Sequence, residues 1–338
     1  MQFLPHSLLM LLSVALSTAH PKCISQSQPN PIASQYPTDV TGTLNGTLAL
    51  LPIPMALARS IIPLKYQILT SAYRSLLPDF PKDMYPALLQ VVHDHDVRYG
   101  EYRLDDFSRA SVEFPFVDLL NDGSTSFRWA PAMFMTSTNE IGIVGARDYG
   151  TEVYPAVFEP SCDAYASAPA PAPKGITYYK TQAEENFVDA VFATVKESGS
   201  MALQMSFFRT AVNLPSFANG SMCNHQTRIF NTSLSTGRNE AKEVSGTVKV
   251  QLPMFGKEMG WVDATGVQVD TAFIEKHLVD CEDFRGFQYE DERPAATQTG
   301  SSSWETFATD CNSSQSTILT LSTIFANYLI TAAKQISI

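Results

Sequence analysis

Ser108-Arg-Ala-Ser-Val-Glu-Phe-Pro-Phe-Val-Asp-Leu-Leu120 is the stretch at which the hydrophobic period of this chain changes. Upstream, Ile68, Leu69, Ala72 and Leu76 recur at helical spacing before Pro78, and Tyr85 to Val92 predicts a second helical run. From Ser108 onward the period is two. The alternation predicts strands over 108–120, 125–136, 140–147, 152–158, 175–181, 187–195, 201–211, 226–234 and 245–252, with Asn121-Asp-Gly123 as a turn after the first. Many strands, few helices and no repeating βα pattern imply an α+β fold. The expected architecture is a mainly antiparallel closed β-barrel with a few peripheral helices.

Within the opening stretch, alternation puts Val112, Phe114 and Phe116 on one face and Ser111, Glu113 and Val117 on the other. With the aromatic face packed outward, Glu113 points into the barrel, where desolvation raises a carboxyl pKa and makes it a usable acid. A solvated face is the competing reading. Arg128 and Trp129 are neighbours on the next strand and project to opposite sides. An arginine on the interior side offers a planar donor fork to a carboxylate or quinone-type oxygen.

Further along, Gly145-Ala-Arg-Asp-Tyr-Gly150 is followed after three residues by Tyr154-Pro155-Ala156-Val157. This segment resembles the G-x-R-E-x-x-G-[YF]-P-K-K signature of the acetoacetate decarboxylase family, whose first lysine forms a Schiff base with substrate. The resemblance runs over roughly residues 48–260, from the Leu50-Leu-Pro-Ile-Pro entry segment, and is specific between Ser108 and Pro155. It implies an acetoacetate decarboxylase-like barrel, Glu113 as the counterpart of the catalytic glutamate, and Arg147 near the pocket. Here Ala156 and Val157 replace both lysines, and no lysine occurs between Lys82 and Lys174. Neither replacement can form the imine that turns a carbonyl into an electron sink.

A signal segment, this entry and a lysine-free barrel together resemble a secreted fungal branch that includes hetero-Diels–Alderases of tropolone sesquiterpenoid biosynthesis. What the resemblance implies is a cofactor-independent pericyclase. Glu113, Arg128 and Arg147 would be its polar catalytic groups, and Trp129, Tyr149 and Tyr154 its substrate-binding walls. Small hydrophobic and oxygenated metabolites would be its partners. Two alternatives stay open: a non-catalytic binding protein for a hydrophobic metabolite, and a decarboxylase or aldol-type enzyme with a displaced lysine such as Lys180 or Lys249.

The 338 residues are 44% hydrophobic and 17% charged, with net charge −11 and a pI near 5.0. Scattered basic residues and an acidic balance exclude nucleic-acid binding as an expectation. Residues 1–19 read as a secretory signal, with an apolar run Ser7–Leu16 and a small-x-small site at Ser17-Thr-Ala19, so the mature chain is expected outside the cell or in the secretory lumen. Residues 20–40 read as an extended arm, 41–293 as the barrel domain, 294–316 as a linker and 317–338 as an apolar tail. A lipid-anchor signal near Asn312 is the alternative for that tail. Asn45, Asn219, Asn231 and Asn312 head glycosylation sequons. Five cysteines in an oxidising compartment allow at most two internal bridges, and the expected pairs are Cys281–Cys311 and Cys162–Cys223. His93-Asp94-His95-Asp96 invites a metal reading, with both histidines on one strand face. Its place after a predicted helix favours a solvated cap instead, so no metal is assigned.

Overall fold

The computed structural model describes residues 29–168, 171–195, 201–219 and 221–289; the side chains of 201–204 and Arg238 are outside this set. The strands are β1 (Val40–Pro54), β2 (Gln67–Ile68), β3 (Met84–Tyr99), β4 (Tyr102–Arg103), β5 (Phe107–Asp118), β6 (Phe127–Trp129), β7 (Ala132–Thr136), β8 (Glu152–Glu159), β9 (Ala166–Ser167), β10 (Ile176–Ala183), β11 (Asn186–Thr194), β12 (Ser216–Phe217), β13 (Met222–Ile229), β14 (Lys242–Gln251) and β15 (Met259–Asp280). The helices are α1 (Met55–Ile61), α2 (Thr70–Leu76), α3 (Glu140–Asp148) and α4 (Met201–Asn213). The fold is α+β and strand-rich, and its pairings are antiparallel except β7–β8 and β6–β12.

Strand pairing returns to its start along β5-β7-β8-β10-β11-β14-β15-β1-β3 and back to β5. A second circuit leaves β5 through β6, β12 and β13 and rejoins the first at β15. The fork is possible because β15 is 22 residues long, roughly 70 Å of extended chain. Its first half pairs with β14 and its second half with β13 along one edge, while β1 runs along the other. The sheet is therefore a ring with a branch, a more elaborate object than the single barrel the alternation predicts.

Three predicted elements change type. The run Tyr85–Val92 is part of β3 and is buried throughout; a short apolar run buried on both faces has no period to separate strand from helix. Residues 140–147 form α3, started by the Asn139 side chain accepting from the Gly142 amide at 3.1 Å. Residues 201–211 lie in α4, whose Met, Ala, Leu and Gln are good helix formers. The turn after β5 is as expected: Asp118 accepts from the Asp122 and Gly123 amides, and Gly123 takes φ +76°. Within β5, the register shifts between Pro115 and Val117, and Phe116 sits at φ +64°. A bulge there accommodates a residue without an N–H to donate.

The arm is not extended where it is described. Residues 31–35 turn, Ile32 is buried, and Asn30 is tied to Asp96 and Thr41. Cys223 bonds to Cys281, so neither expected disulfide pair forms. The register explains it: Cys223 lies opposite Val279 across β13–β15, and Cys281 follows β15 directly. Asn45 is buried at 6% exposure inside β1, with its amide donating to Asp163 at 2.7 Å, and cannot present its nitrogen to a glycosylating enzyme in the folded chain. A Cβ on the following Gly46 would come within 2.5 Å of the Val91 carbonyl, so strand packing accounts for that glycine. Asn219 and Asn231 are exposed. Residues 1–28, the linker, the tail, Cys311 and Asn312 lie outside the described residues.

Two apolar clusters divide the interior. The larger joins Ala110, Val112 and Phe114 of β5 to Phe134, Ala156 and Phe158 and to α4. The smaller gathers Met133, Met135, Val153 and Phe273 around Ile143, Ala146 and Tyr149 of the α3 segment. β5 separates them, and the functional cavity lies on the side of the smaller one.

Candidate functional site

Arg109, Ser111 and Glu113 alternate along β5, so they share the face opposite Ala110 and Val112. Across the sheet Ser111 sits beside Gln90 of β3 and Met133 of β7. Arg109 and Glu113 face a cavity enclosed by β3, β5, β6, β7, β13, β15 and α3, which leaves about 120 Å³ for the centres of water-sized molecules. One wall is apolar, built from Phe107, Met133, Met135, Ile141 and Phe273. The other is a continuous polar network.

That network begins at Asp94, which accepts from Arg109 Nε at 2.8 Å and Nη2 at 3.3 Å. Arg109 Nη2 also donates to Gln226 Oε1 at 2.9 Å. The Gln226 and Asn224 amides both donate to Glu275, at 3.3 and 2.8 Å. Burial pulls on the Arg109 charge, yet the Asp94 carboxylate, helped by Glu275 and Glu113, holds its pKa above the ordinary value. Tyr149 closes the α3 side with its ring 6.0 Å from that of His277. Burial, reinforced by Glu275 and Glu113, pushes the Tyr149 phenol up to about 12, so it keeps its proton as a donor.

Glu113 is 2% exposed, accepts from Gln90 Nε2 at 2.6 Å and Ser111 Oγ at 2.7 Å, and forms an ion pair with the Arg128 guanidinium, whose Nε lies 2.5 Å away. Arg128 also donates through Nη1 to the carbonyls of Ala211 and Val212. It thereby caps the C-terminal end of α4, where a cation meets unsatisfied carbonyls and the negative end of the helix dipole. Gln90 Oε1 in turn accepts from Arg228, whose pKa burial, together with Arg109 and Arg128, pulls well below the ordinary value.

Of the residues singled out from sequence, Glu113, Arg128 and Tyr149 line this cavity together. The other three stand elsewhere. Arg147 is exposed on the last turn of α3, its Nη2 donating to the Val153 carbonyl at 3.3 Å. Trp129 projects away from Arg128 into the larger core against Phe114, with its indole N–H on the Ala218 carbonyl. Tyr154 is half-buried against Phe134. Ala156, the position matched to the Schiff-base lysine, is buried in the larger core, on the side of β5 that Glu113 does not face. The displaced-lysine candidates are also outside: Lys180 is half-exposed and paired with Asp189, and Lys249 is exposed. Among the described residues no lysine lines the cavity.

Sequence reasoning missed Asp94, Arg109, Asn224, Gln226, Glu275 and His277. One signal was available: Arg109, Ser111 and Glu113 form a polar period-two triplet opposite an apolar one. Asn224 and Gln226 carry no such signal, because His225 and Thr227 make the alternate positions polar as well. On the far face of β3, buried His93 and His95 approach Asp106 as a group able to hold a metal ion. Their strand is buried, so the solvated-cap reading of His93–Asp96 does not hold. Burial, aided by His95, pushes His93 down to about 3.

Neither a family model nor a curated protein sequence matches this chain. Among solved structures it is similar to an acetoacetate decarboxylase-like enzyme from Sphingomonas wittichii RW1, at 8% identity and TM-score 0.42, over 72% of this chain and 94% of that one. It is also similar to the enduracididine biosynthesis enzyme MppR with HEPES buffer bound, at 7% identity and TM-score 0.44, over 78% and 96%. The same enzyme complexed with pyruvate gives 9% identity and TM-score 0.42, over 76% and 98%. These likenesses assign no residue of this chain a role.

Proposed function

We propose that the cavity binds a small molecule with an apolar body and an oxygenated edge, and that the chain is a secreted pericyclase acting on such molecules. The specific reading is a hetero-Diels–Alderase that joins a humulene-type sesquiterpene to a tropolone quinone methide. The observation that carries it is the two-sided wall: methionine, isoleucine and phenylalanine face a proton-retaining Tyr149 and a hydrogen-bonded Asp94–Arg109–Gln226–Glu275 network, with no lysine among the described lining residues. A cycloaddition asks for no covalent nucleophile. It asks that diene and dienophile be held in near-attack geometry, with donors placed where charge gathers on the heterodiene oxygen. Tyr149 and Arg109 serve as those donors, and the Glu113–Arg128 pair keeps the floor of the cavity rigid.

A second reading, a binding protein that sequesters the same class of metabolite, is favoured by one feature: both cavity arginines are already paired with carboxylates. Incubation with a humulene-type alcohol and a tropolone quinone-methide precursor separates the two. Product formed well above the no-protein control supports the pericyclase. Product at the control level with saturable ligand binding supports sequestration and removes the catalytic reading.

A further inference from the structure

The row of side chains that crosses the sheet at His93 is polar, although the core around it is apolar. His93 lies between Ser108 of β5 and Asn45 of β1, and Asn45 lies opposite Asp270 of β15. Two residues on, His95 turns its ring to the same side, its centroid 4.5 Å from that of His93. Asp106, just before β5, completes the group: one ligand atom from each of the three residues lies within 4.8 Å of the others.

The hydrogen bonds around the group fix which ring nitrogens face inward. The Asn45 amide nitrogen donates to Asp163 at 2.7 Å, so its Oδ1 is the atom 2.5 Å from His95 Nε2, and that nitrogen must carry the proton. The lone pair of a neutral His95 is then on Nδ1, which faces Asp106 Oδ2 at 3.5 Å. Two acceptors facing each other repel unless a positive charge stands with them. His93 Nδ1 lies 2.6 Å from Ser108 Oγ, a hydroxyl that accepts when Nδ1 carries the proton and so leaves the lone pair on Nε2, which is fully buried and has no hydrogen-bond partner. Leaving such a buried nitrogen unmet is destabilising. The Asp106 Oδ1 atom accepts from the Asp96 amide at 3.1 Å, which aims Oδ2 at the histidines.

We propose that His93 Nε2, His95 Nδ1 and Asp106 Oδ2 bind one divalent transition-metal ion, with zinc the best match to two imidazoles and a carboxylate. Bonds of about 2.0–2.2 Å at near-tetrahedral angles put neighbouring donors about 3.4 Å apart, which is the His95–Asp106 spacing. Ser108 and Asn45 are the outer partners that metal-bound histidines require to set tautomer and ring orientation. Three protein donors leave a position for water or a further ligand. The site lies on the face of β3 away from Asp94 and the Glu113 cavity, so it stands or falls independently of the activity proposed above.

The test uses the full chain, purified from zinc-supplemented medium and dialysed into metal-free buffer. Elemental analysis should find close to one zinc per molecule. Replacement with cobalt should give the visible ligand-field bands of a low-coordinate site, and X-ray absorption at the zinc edge should show two imidazoles. Asp106→Asn, which keeps the acceptor for the Asp96 amide, and His93→Gln should each weaken retention roughly tenfold or more. Wild-type chain with neither zinc nor cobalt bands overturns the proposal, as does equal retention in wild type and a folded variant. If both variants fail to fold, the wild-type absorption spectrum decides: coordination without two imidazoles sinks the site.

Discussion

Arg128 Nε lies 2.5 Å from Glu113 Oε2, and neither side chain is more than 5% exposed. The pair ties β5 and β6 to the end of α4, so it supports the cavity floor as well as lining it. Breaking a buried pair from one side strands the other charge and typically costs about 3–5 kcal/mol. Arg128→Met is therefore expected to lower stability by about that amount in a denaturant titration. The double substitution Glu113→Gln with Arg128→Met is expected to cost less than the sum of the two singles. Strict additivity would show that the two groups act independently.

Tyr149→Phe isolates a different contribution. The ring keeps its packing against His277, and only the hydroxyl of this cavity-lining residue, with its hydrogen bond to Thr151, is lost. One hydrogen bond contributes about 0.5–1.5 kcal/mol, so tropolone affinity should fall roughly two- to twelve-fold by fluorescence titration while the melting temperature stays close to wild type. Unchanged affinity would reduce Tyr149 to a wall.

The outline of this site could be read in the sequence because strand alternation is local. Glu113 and its separation from Phe114, and the split between Arg128 and Trp129, follow from a period of two and survive in the structure. What could not be read was anything set by closure of the ring. Asp94 meets Arg109, and Gln226 meets Glu275, only because β3, β13 and β15 come round to β5. His93 and His95 were misplaced for a related reason: an apolar run buried on both faces loses the alternation that marks a strand. Asn139 did carry a legible helix start, overridden by the alternation of Ile141 and Ile143 behind it. Arg147 and Tyr154 were placed by the motif, and the helix that α3 forms turns Arg147 outward.

Acid should destabilise the protein through buried histidines. Burial pushes His225 down to about 4, against the Asn213 carbonyl its Nε2 meets at 3.0 Å and with help from Arg128 and Lys276. Unfolded histidine titrates near about 6.5. Between those values the unfolded chain binds more protons than the folded one, so the stability contribution is complete above about pH 6.5 and is lost as pH falls toward 4. His277 is also depressed, again mainly by burial, and acts with the same sign. The denaturation midpoint should decline from pH 6.5 to 4, and His225→Gln should decline less steeply. Parallel profiles for the two proteins would exclude His225 as the source.

A lysine placed at position 156, which the sequence resemblance matches to a Schiff-base lysine, should not give imine chemistry. Ala156 is opposite Thr136 in the β7–β8 register, and Thr136 Oγ1 accepts from the Ser108 amide, which places it on the larger-core side. Glu113 and Met133 face the cavity on the other side. In Ala156→Lys the new amine would be desolvated in the larger core, on the face away from Glu113, a cost of several kcal/mol. The variant should be markedly less stable and give no borohydride-trapped adduct with acetoacetate. Met133→Lys puts the amine on the cavity wall near Glu113 and should trap more adduct than Ala156→Lys. Efficient labelling of Ala156→Lys that disappears when Glu113 is changed to Gln would show that the two positions share one pocket, and the division of the interior described above would be wrong.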